Sequence, residues 1–220
     1  KPAALVFGSG YMANAGAIPS LAGRDDAVFV DRLAHASILD AVVMSRARLL
    51  RFRHNDAGHL ADLMEKTDVP GRRLVVTESV FSMDGDVAPL GDIVRVAKAA
   101  KAMLMIDEAH STGVFDPVGD ALKTGGEVNV RMGTLSKAFG GYGGFVACSG
   151  SLRDLFVNRA RSFVFSTALP PASAAAALAA MRIVGKNPNM GARLLENSAA
   201  FRKRLKDAGL DTGKSESQII

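Results

Sequence analysis

Apolar and polar positions fall into short blocks along this chain, and the blocks alternate between two periods. Compact apolar runs at 5–7, 27–30, 48–52, 72–77, 102–106, 128–132 and 145–148 have the length and β-branched content of strands. Between them, apolar residues recur every three or four positions, the spacing of a helix face, over 12–21, 37–45, 57–65, 89–100, 151–158, 172–184 and 189–208. Leu90, Ile93, Val94 and Ala97 share one face of their helix, and Leu194, Leu195, Phe201 and Leu205 share one face of the last. Ser37 is a candidate cap for the second helix, and Pro171 suits the first turn of the alanine-rich one. Residues 162–167 read as extended, and 210–218 as a turn into a further strand. Strand, helix, strand with short connections is a βαβ unit, so the sheet is expected to be largely parallel.

The polar chemistry gathers where strands end. Gly8-Ser9-Gly10-Tyr11 opens the first helix, a place where free backbone N–H groups can meet an anion. Glu78-Ser79-Val80-Phe81-Ser82-Met83-Asp84-Gly85-Asp86 and Asp107-Glu108-Ala109-His110 follow two buried-looking strands, which is where open parallel sheets place ligands. The most informative stretch is GTLSKAFGGYGG at 133–144. Lys137 sits there among Thr134, Ser136 and Gly140, Gly141, Gly143 and Gly144. A primary amine in a partly dry pocket can lose its proton and attack a carbonyl, so Lys137 is read as the carrier of an aldehyde cofactor. The plainer alternative is a Gly-rich turn with a solvated lysine.

Other candidates carry the same two-sided reading. Asp107 at the mouth of an apolar strand is costly unless a cation meets it; it is either a helix cap or the partner of a protonated heterocyclic nitrogen. His35, in a loop, is either a surface residue or a flat ring for stacking on a flat ligand. Asp56 and His59 read as helix-start chemistry. No pair among the four histidines has a ligand spacing with carboxylates, so no metal site is expected. The DEAH tetrad at 107–110 matches the box of helicases, but no GxxxxGK[ST] loop precedes it.

Composition narrows the class. The 220 residues are 48% hydrophobic, enough for a sizeable core, and contain no apolar run of membrane-spanning length. A single cysteine, Cys148, excludes a disulfide framework and fits a reducing, cytoplasmic setting. The formal charge of +5 is scattered, without a basic helix, so nucleic acid is not an expected partner. The chain opens without a start methionine and closes on Gln218-Ile219-Ile220, so both ends read as cut from a longer protein.

Seven segments in order (GSGYMAN, DRLAHAS, RFRHND, TESVFSMDGDVAPL, DEAHSTGV, GTLSKAFGG and FSTALPP) resemble the α-oxoamine synthases. These are fold-type I, pyridoxal 5'-phosphate (PLP)-dependent acyltransferases that join an amino acid to an acyl-CoA with loss of carbon dioxide. The resemblance covers nearly the whole chain. It implies a three-layer α/β/α fold with a mostly parallel central sheet. Residues 1–208 would belong to the PLP-binding large domain and 209–220 would begin a smaller C-terminal domain.

It also implies roles by position. Lys137 matches the Schiff-base lysine, which later takes the α-proton. Asp107 matches the partner of the ring nitrogen, and His35 the histidine stacked on the ring. His110 and Ser82 match groups around the phenolic oxygen and ring edge. Gly10, Tyr11 and Thr134 match the phosphate site. Glu78 matches a family acid of unspecified role. Within the family the chain looks most like members that join L-alanine to a pimeloyl thioester in biotin synthesis. The other family reactions, glycine with acetyl- or succinyl-CoA and serine with a long acyl-CoA, are the alternatives. A homodimer is implied, with Tyr11 and 163–167 near its boundary.

Three departures stand out. Phe115-Asp116-Pro117-Val118-Gly119-Asp120 replaces a glycine-arginine-glycine pattern, Arg131-Met132 replaces a more apolar pair, and the C-terminal domain that supplies the carboxylate-binding arginine lies beyond Ile220. The stretch alone is therefore expected to bind cofactor poorly and to turn over slowly or not at all. Two rivals of other classes are a catalytically silent scaffold, whose mark would be loss of Lys137 or Asp107, and an anion- or nucleotide-binding domain using the GSG turn. Both residues are present, and GSGYMA lacks the third glycine of a dinucleotide fingerprint.

Overall fold

A computed structural model describes residues 1–115 and 127–220. The replaced segment at 116–120 lies outside the described residues. Seven strands form one sheet in the order β1-β7-β6-β5-β4-β2-β3. They are β1 (Ala3–Phe7), β2 (Ala27–Asp31), β3 (Arg48–Phe52), β4 (Arg73–Glu78), β5 (Met103–Asp107), β6 (Val130–Thr134) and β7 (Gly144–Cys148). Strands β3, β2, β4, β5 and β6 run parallel, and β7 runs antiparallel to β6 and β1. The sheet is thus mostly parallel, as the βαβ pattern predicts.

Alternation along the inner strands builds two cores. Val28, Val30, Leu74, Val76, Met105, Val130 and Met132 face one layer, packing with α1 (Gly10–Leu21), α2 (Ala36–Ser45) and α5 (Gly150–Arg159). Phe29, Val75, Leu104 and Ile106 face the other, packing with α3 (Ala57–Lys66) and α4 (Leu90–Ala99). Strands buried on both faces must be apolar throughout, which explains their near-continuous hydrophobic runs. Helix α1 is built from small residues because it lies close against its neighbours. A Cβ on Gly16 would come within 2.4 Å of Ser162 Oγ and 2.9 Å of the Phe7 ring.

Three local expectations are corrected. Helix α2 is capped by His35, whose Nδ1 accepts from the backbone of Ser37, so Ser37 lies inside the helix. Residues 162–167 are not an extended run: α6 (Arg161–Val164) makes a helical turn there. Ala160 carbonyl accepts from Phe163 and Val164, and Ser162 Oγ donates to the Met12 carbonyl at 2.6 Å, which holds the turn against α1. Residues 210–218 form no strand; Gln218 Nε2 instead donates to the His110 carbonyl, 2.8 Å away. The apolar face of α8 (Asn189–Asp207) is largely open, with Leu194 and Phe201 exposed. The alanine-rich α7 (Pro171–Lys186) covers Leu135 and Phe139 through Ala177 and Val184.

The Arg131 departure has a local answer. Its guanidinium pairs with Glu108, and both side chains are buried. A buried charge is tolerable only when paired, and this one is.

The glycines around Lys137 serve close approach. Gly143 has φ +109, and a Cβ on Gly144 would lie 2.7 Å from the Ser9 carbonyl and 2.6 Å from Gly10 N. The start of β7 therefore presses on the turn that opens α1. Gly144→Ala is expected to lower stability by about 1–3 kcal/mol through this overlap, read by urea unfolding; wild-type stability would contradict the packing.

Candidate active site

The parallel strands all deliver polar residues to one edge of the sheet. A cavity of ≈ 180 Å³ opens there, lined by Gly10, Tyr11, His35, Ser37, Glu78, Asp107, Ala109, His110, Met132, Thr134, Ser136 and Lys137. The topology dictates this meeting. β2 leads to His35, β4 ends on Glu78, β5 on Asp107, β6 on Thr134, and β1 leads to Gly10. Lys137, His35, Asp107, Gly10, Tyr11, His110 and Thr134 are thus brought together. Ser82 is not: it lies in the loop after β4 and does not line the cavity.

Asp107 is 4% exposed. No helix follows it, so it is not a helix cap; its Oδ1 accepts from Ala109 N (3.0 Å) in a tight turn. Its Oδ2 accepts from Asn14 Nδ2 (2.9 Å). Burial pushes its pKa up, while the hydrogen bonds from Asn14 and Ala109 and the charge of Lys137 oppose the shift. Glu78 faces Asp107 across the β4–β5 register, is 2% exposed, and accepts from His35 N at 2.6 Å. Burial and the neighbouring Asp107 push Glu78 up to about 8. Two adjacent buried acids do not both ionise readily. Asp107, with two donors to Glu78's one, takes the charge.

Lys137 stands in the β6–β7 loop at the exposed mouth of the cavity. Enough protein crowds its amine that desolvation lowers its pKa, against the pull of Asp107 and Glu78. Its Nζ lies 2.7 Å from His110 Nε2. Burial and the cation of Lys137 depress His110 to about 4, so the ring is neutral and its Nε2 accepts from the amine. His35 Nδ1 lies 2.8 Å from Ser37 Oγ, which fixes the ring beside the cavity.

The arrangement fits a flat, anionic, heterocyclic aldehyde. Asp107 has no basic partner among the described residues, so a protonated ring nitrogen would supply the cation its burial requires. Gly10 opens α1 next to Thr134, and a Cβ there would fall 2.7 Å from Thr134 Cγ2. This leaves a glycine cradle at a helix N-terminus, a place suited to phosphate. Tyr11 lines the same end and donates its hydroxyl to Asp40 Oδ2 at 2.7 Å.

Residues 1–220 match the family described as aminotransferase class I and II. The chain belongs to that family. Within the aminotransferase class I and II family, it is similar to 8-amino-7-oxononanoate synthases of Citrifermentans bemidjiense (48% identical over 223 residues) and Geobacter sulfurreducens (49% over 224). Each match covers 99% of this chain but 57% of the relative, so the chain spans little more than half the length of these relatives. Among solved structures, it is similar to a serine palmitoyltransferase from S. paucimobilis with a bound PLP–myriocin aldimine. That match has a TM-score of 0.93 at 36% identity and covers 99% of this chain and 57% of the other. The 8-amino-7-oxononanoate synthase of Francisella tularensis is similar at TM-score 0.81 and 30% identity, over 98% of this chain and 64% of that one. These are α-oxoamine synthases, as the segment resemblance implied, and the three-layer fold agrees with theirs.

Residue-by-residue reading missed Asn14 and misread Ser37 as a cap. The signal for Asn14 was available: a lone amide in a helix of alanines and glycines. It also passed over His54, Asp84 and Asp86, whose ligand-type atoms lie within 4.8 Å of one another. Both His54 nitrogens are already committed, to Asp31 (2.9 Å) and Asp86 (2.7 Å). No helix among the described residues is long and apolar enough to cross a membrane.

The Glu78 shift has a measurable sign. The folded chain without cofactor keeps a proton on Glu78 that the unfolded chain releases near 4.5. The stability this contributes is complete below that pH and is lost as pH rises through about 8. Glu78→Gln holds the neutral form at every pH. Urea unfolding from about pH 5 to pH 9 is expected to show the variant gaining on the wild type by on the order of 1–4 kcal/mol. Parallel curves would contradict the assignment.

Proposed function

We propose that the protein carrying this chain is a PLP-dependent acyltransferase. It condenses L-alanine with a pimeloyl thioester, with loss of carbon dioxide and coenzyme A, in biotin synthesis. The observation that carries this reading is the meeting of Lys137, Asp107 and His35 in one cavity. The similarity to named 8-amino-7-oxononanoate synthases supports the substrate pair.

When bound, PLP supplies an aldehyde that captures amines and a protonated ring that draws electrons from a bond at the amino-acid α-carbon. Lys137 would hold the aldehyde carbon, and its lowered pKa suits it to accept the α-proton at Nζ. Asp107 would keep the ring nitrogen protonated, and His35 would stack on the ring. Neutral His110 holds the Lys137 amine in place by accepting from it. Gly10, Tyr11 and Thr134 would hold the phosphate. Ser82, in the loop after β4, does not line the cavity; its match to a group at the ring edge stays part of this reading.

Residues 1–208 would form the cofactor-binding large domain, and 209–220 would begin the smaller one. We also read the whole protein as a cytoplasmic homodimer. Tyr11 and Phe165, both in stretches the resemblance puts near the boundary, are exposed aromatic rings, which supports pairing.

The test is release of carbon dioxide and coenzyme A by the full-length protein across amino acids and thioesters. Alanine with the pimeloyl thioester is expected to be fastest, and Lys137→Ala to lose about 10²–10⁴-fold or more. Equal rates with glycine and alanine, or none with the pimeloyl thioester, would reject the substrate pair.

A further inference from the structure

Helix α1 packs against the sheet almost entirely through small and apolar residues, and Asn14 interrupts that face while fully buried. A buried amide destabilises unless it is hydrogen-bonded. Both N–H groups of Asn14 are used: Nδ2 donates to Asp107 Oδ2 at 2.9 Å and to Ser37 Oγ at 2.9 Å. Its Oδ1 has no partner among the described residues. A side chain kept only for packing would not leave a buried acceptor unmet, so the two donations are the reason for an amide here.

The bonds continue in both directions. Ser37 Oγ meets His35 Nδ1 at 2.8 Å, His35 N donates to Glu78 Oε1 at 2.6 Å, and Glu78 stands opposite Asp107 in the sheet. Asn14 thus closes a loop through α1, α2, β4 and β5. It does not itself line the cavity.

We propose that Asn14 is a positioning residue that locks the carboxylate of Asp107 and the imidazole of His35 into one arrangement for the cofactor ring. This rests on the PLP reading above. Asn14 works through its two partners: it fixes one oxygen of the acid that meets the ring nitrogen, and through Ser37 it fixes the ring that stacks. It also favours the anionic form of Asp107. The other groups facing that carboxylate are Glu78 from β4, Lys137 from the β6–β7 loop, His35 at the start of α2 and the N–H of Ala109. Of these, Lys137, His35 and Ala109 work in the same direction as Asn14.

The experiment is PLP binding to the full-length apoprotein, by ultrafiltration and by the visible band of the bound cofactor, across pH. Asn14→Leu keeps the branched shape of the side chain and removes both donors. Its Kd for PLP is expected to rise about tenfold or more, and the acid limb of binding to move up by about one pH unit. Ser37→Ala cuts only the branch to His35, so a smaller loss with the acid limb unmoved is expected. A folded Asn14→Leu, judged by circular dichroism, with wild-type Kd overturns the proposal. So does a weaker Kd with an unmoved acid limb, which would mark a purely structural role. Should Asn14→Leu fail to fold, Asn14→Ala is read by the same two criteria. Failure of the wild-type protein to bind PLP rejects the cofactor reading itself, and the proposal with it.

Discussion

A carboxylate buried at the end of an internal strand is the constraint on which this molecule depends. Asp107 is placed by β5 among apolar strands, with water nearly excluded. Neutral donors soften the cost of its charge but do not cancel it. Everything nearby answers that cost. Asn14 and Ala109 donate to it, Glu78 beside it keeps its proton, and Lys137 brings a positive charge by way of a loop rather than a fixed ion pair. A site prepared for an anion and short of a fixed cation is suited to a ligand that brings its own.

Close backbone approach makes that site possible. Gly10 and Tyr11 at the GSG turn and Met132 and Thr134 of β6 line the cavity together, and the start of β7 packs on that turn. Glycine at Gly10 and Gly144 removes side chains that would otherwise push these segments apart. The small residues of α1 serve the same end, since only a thin helix can bring Asn14 within reach of β5. Packing and chemistry are therefore set by the same residues. The alternation of the inner strands fixes the sheet, the sheet fixes its polar edge, and the edge gathers residues distant in sequence.

Much of this was legible from the order of residues. Strand and helix periods located each named strand to within about two residues; the carboxyl ends of apolar strands pointed to Asp107 and Glu78, and the glycine-rich stretch 133–144 pointed to Lys137. What escaped depended on tertiary contacts. The Phe163–Phe165 stretch has extended-type residues, but Ala160 and Met12 hold it in a helical turn. Ser82 resembles a site residue by motif; it sits in the loop after β4 and does not line the cavity. Ser37 looks like a cap in isolation, whereas His35 takes that place because its ring can reach back to the helix. The spacing of α8 was right, but its apolar face finds no cover among the described residues.

The most direct measurement is to add PLP to the full-length protein, reduce with borohydride, digest, and map the pyridoxyl label by mass spectrometry. The account predicts one labelled peptide, the one containing Lys137, with labelling much weakened when Asp107 is replaced by asparagine. Label on another lysine, or label on Lys137 indifferent to Asp107, would contradict it.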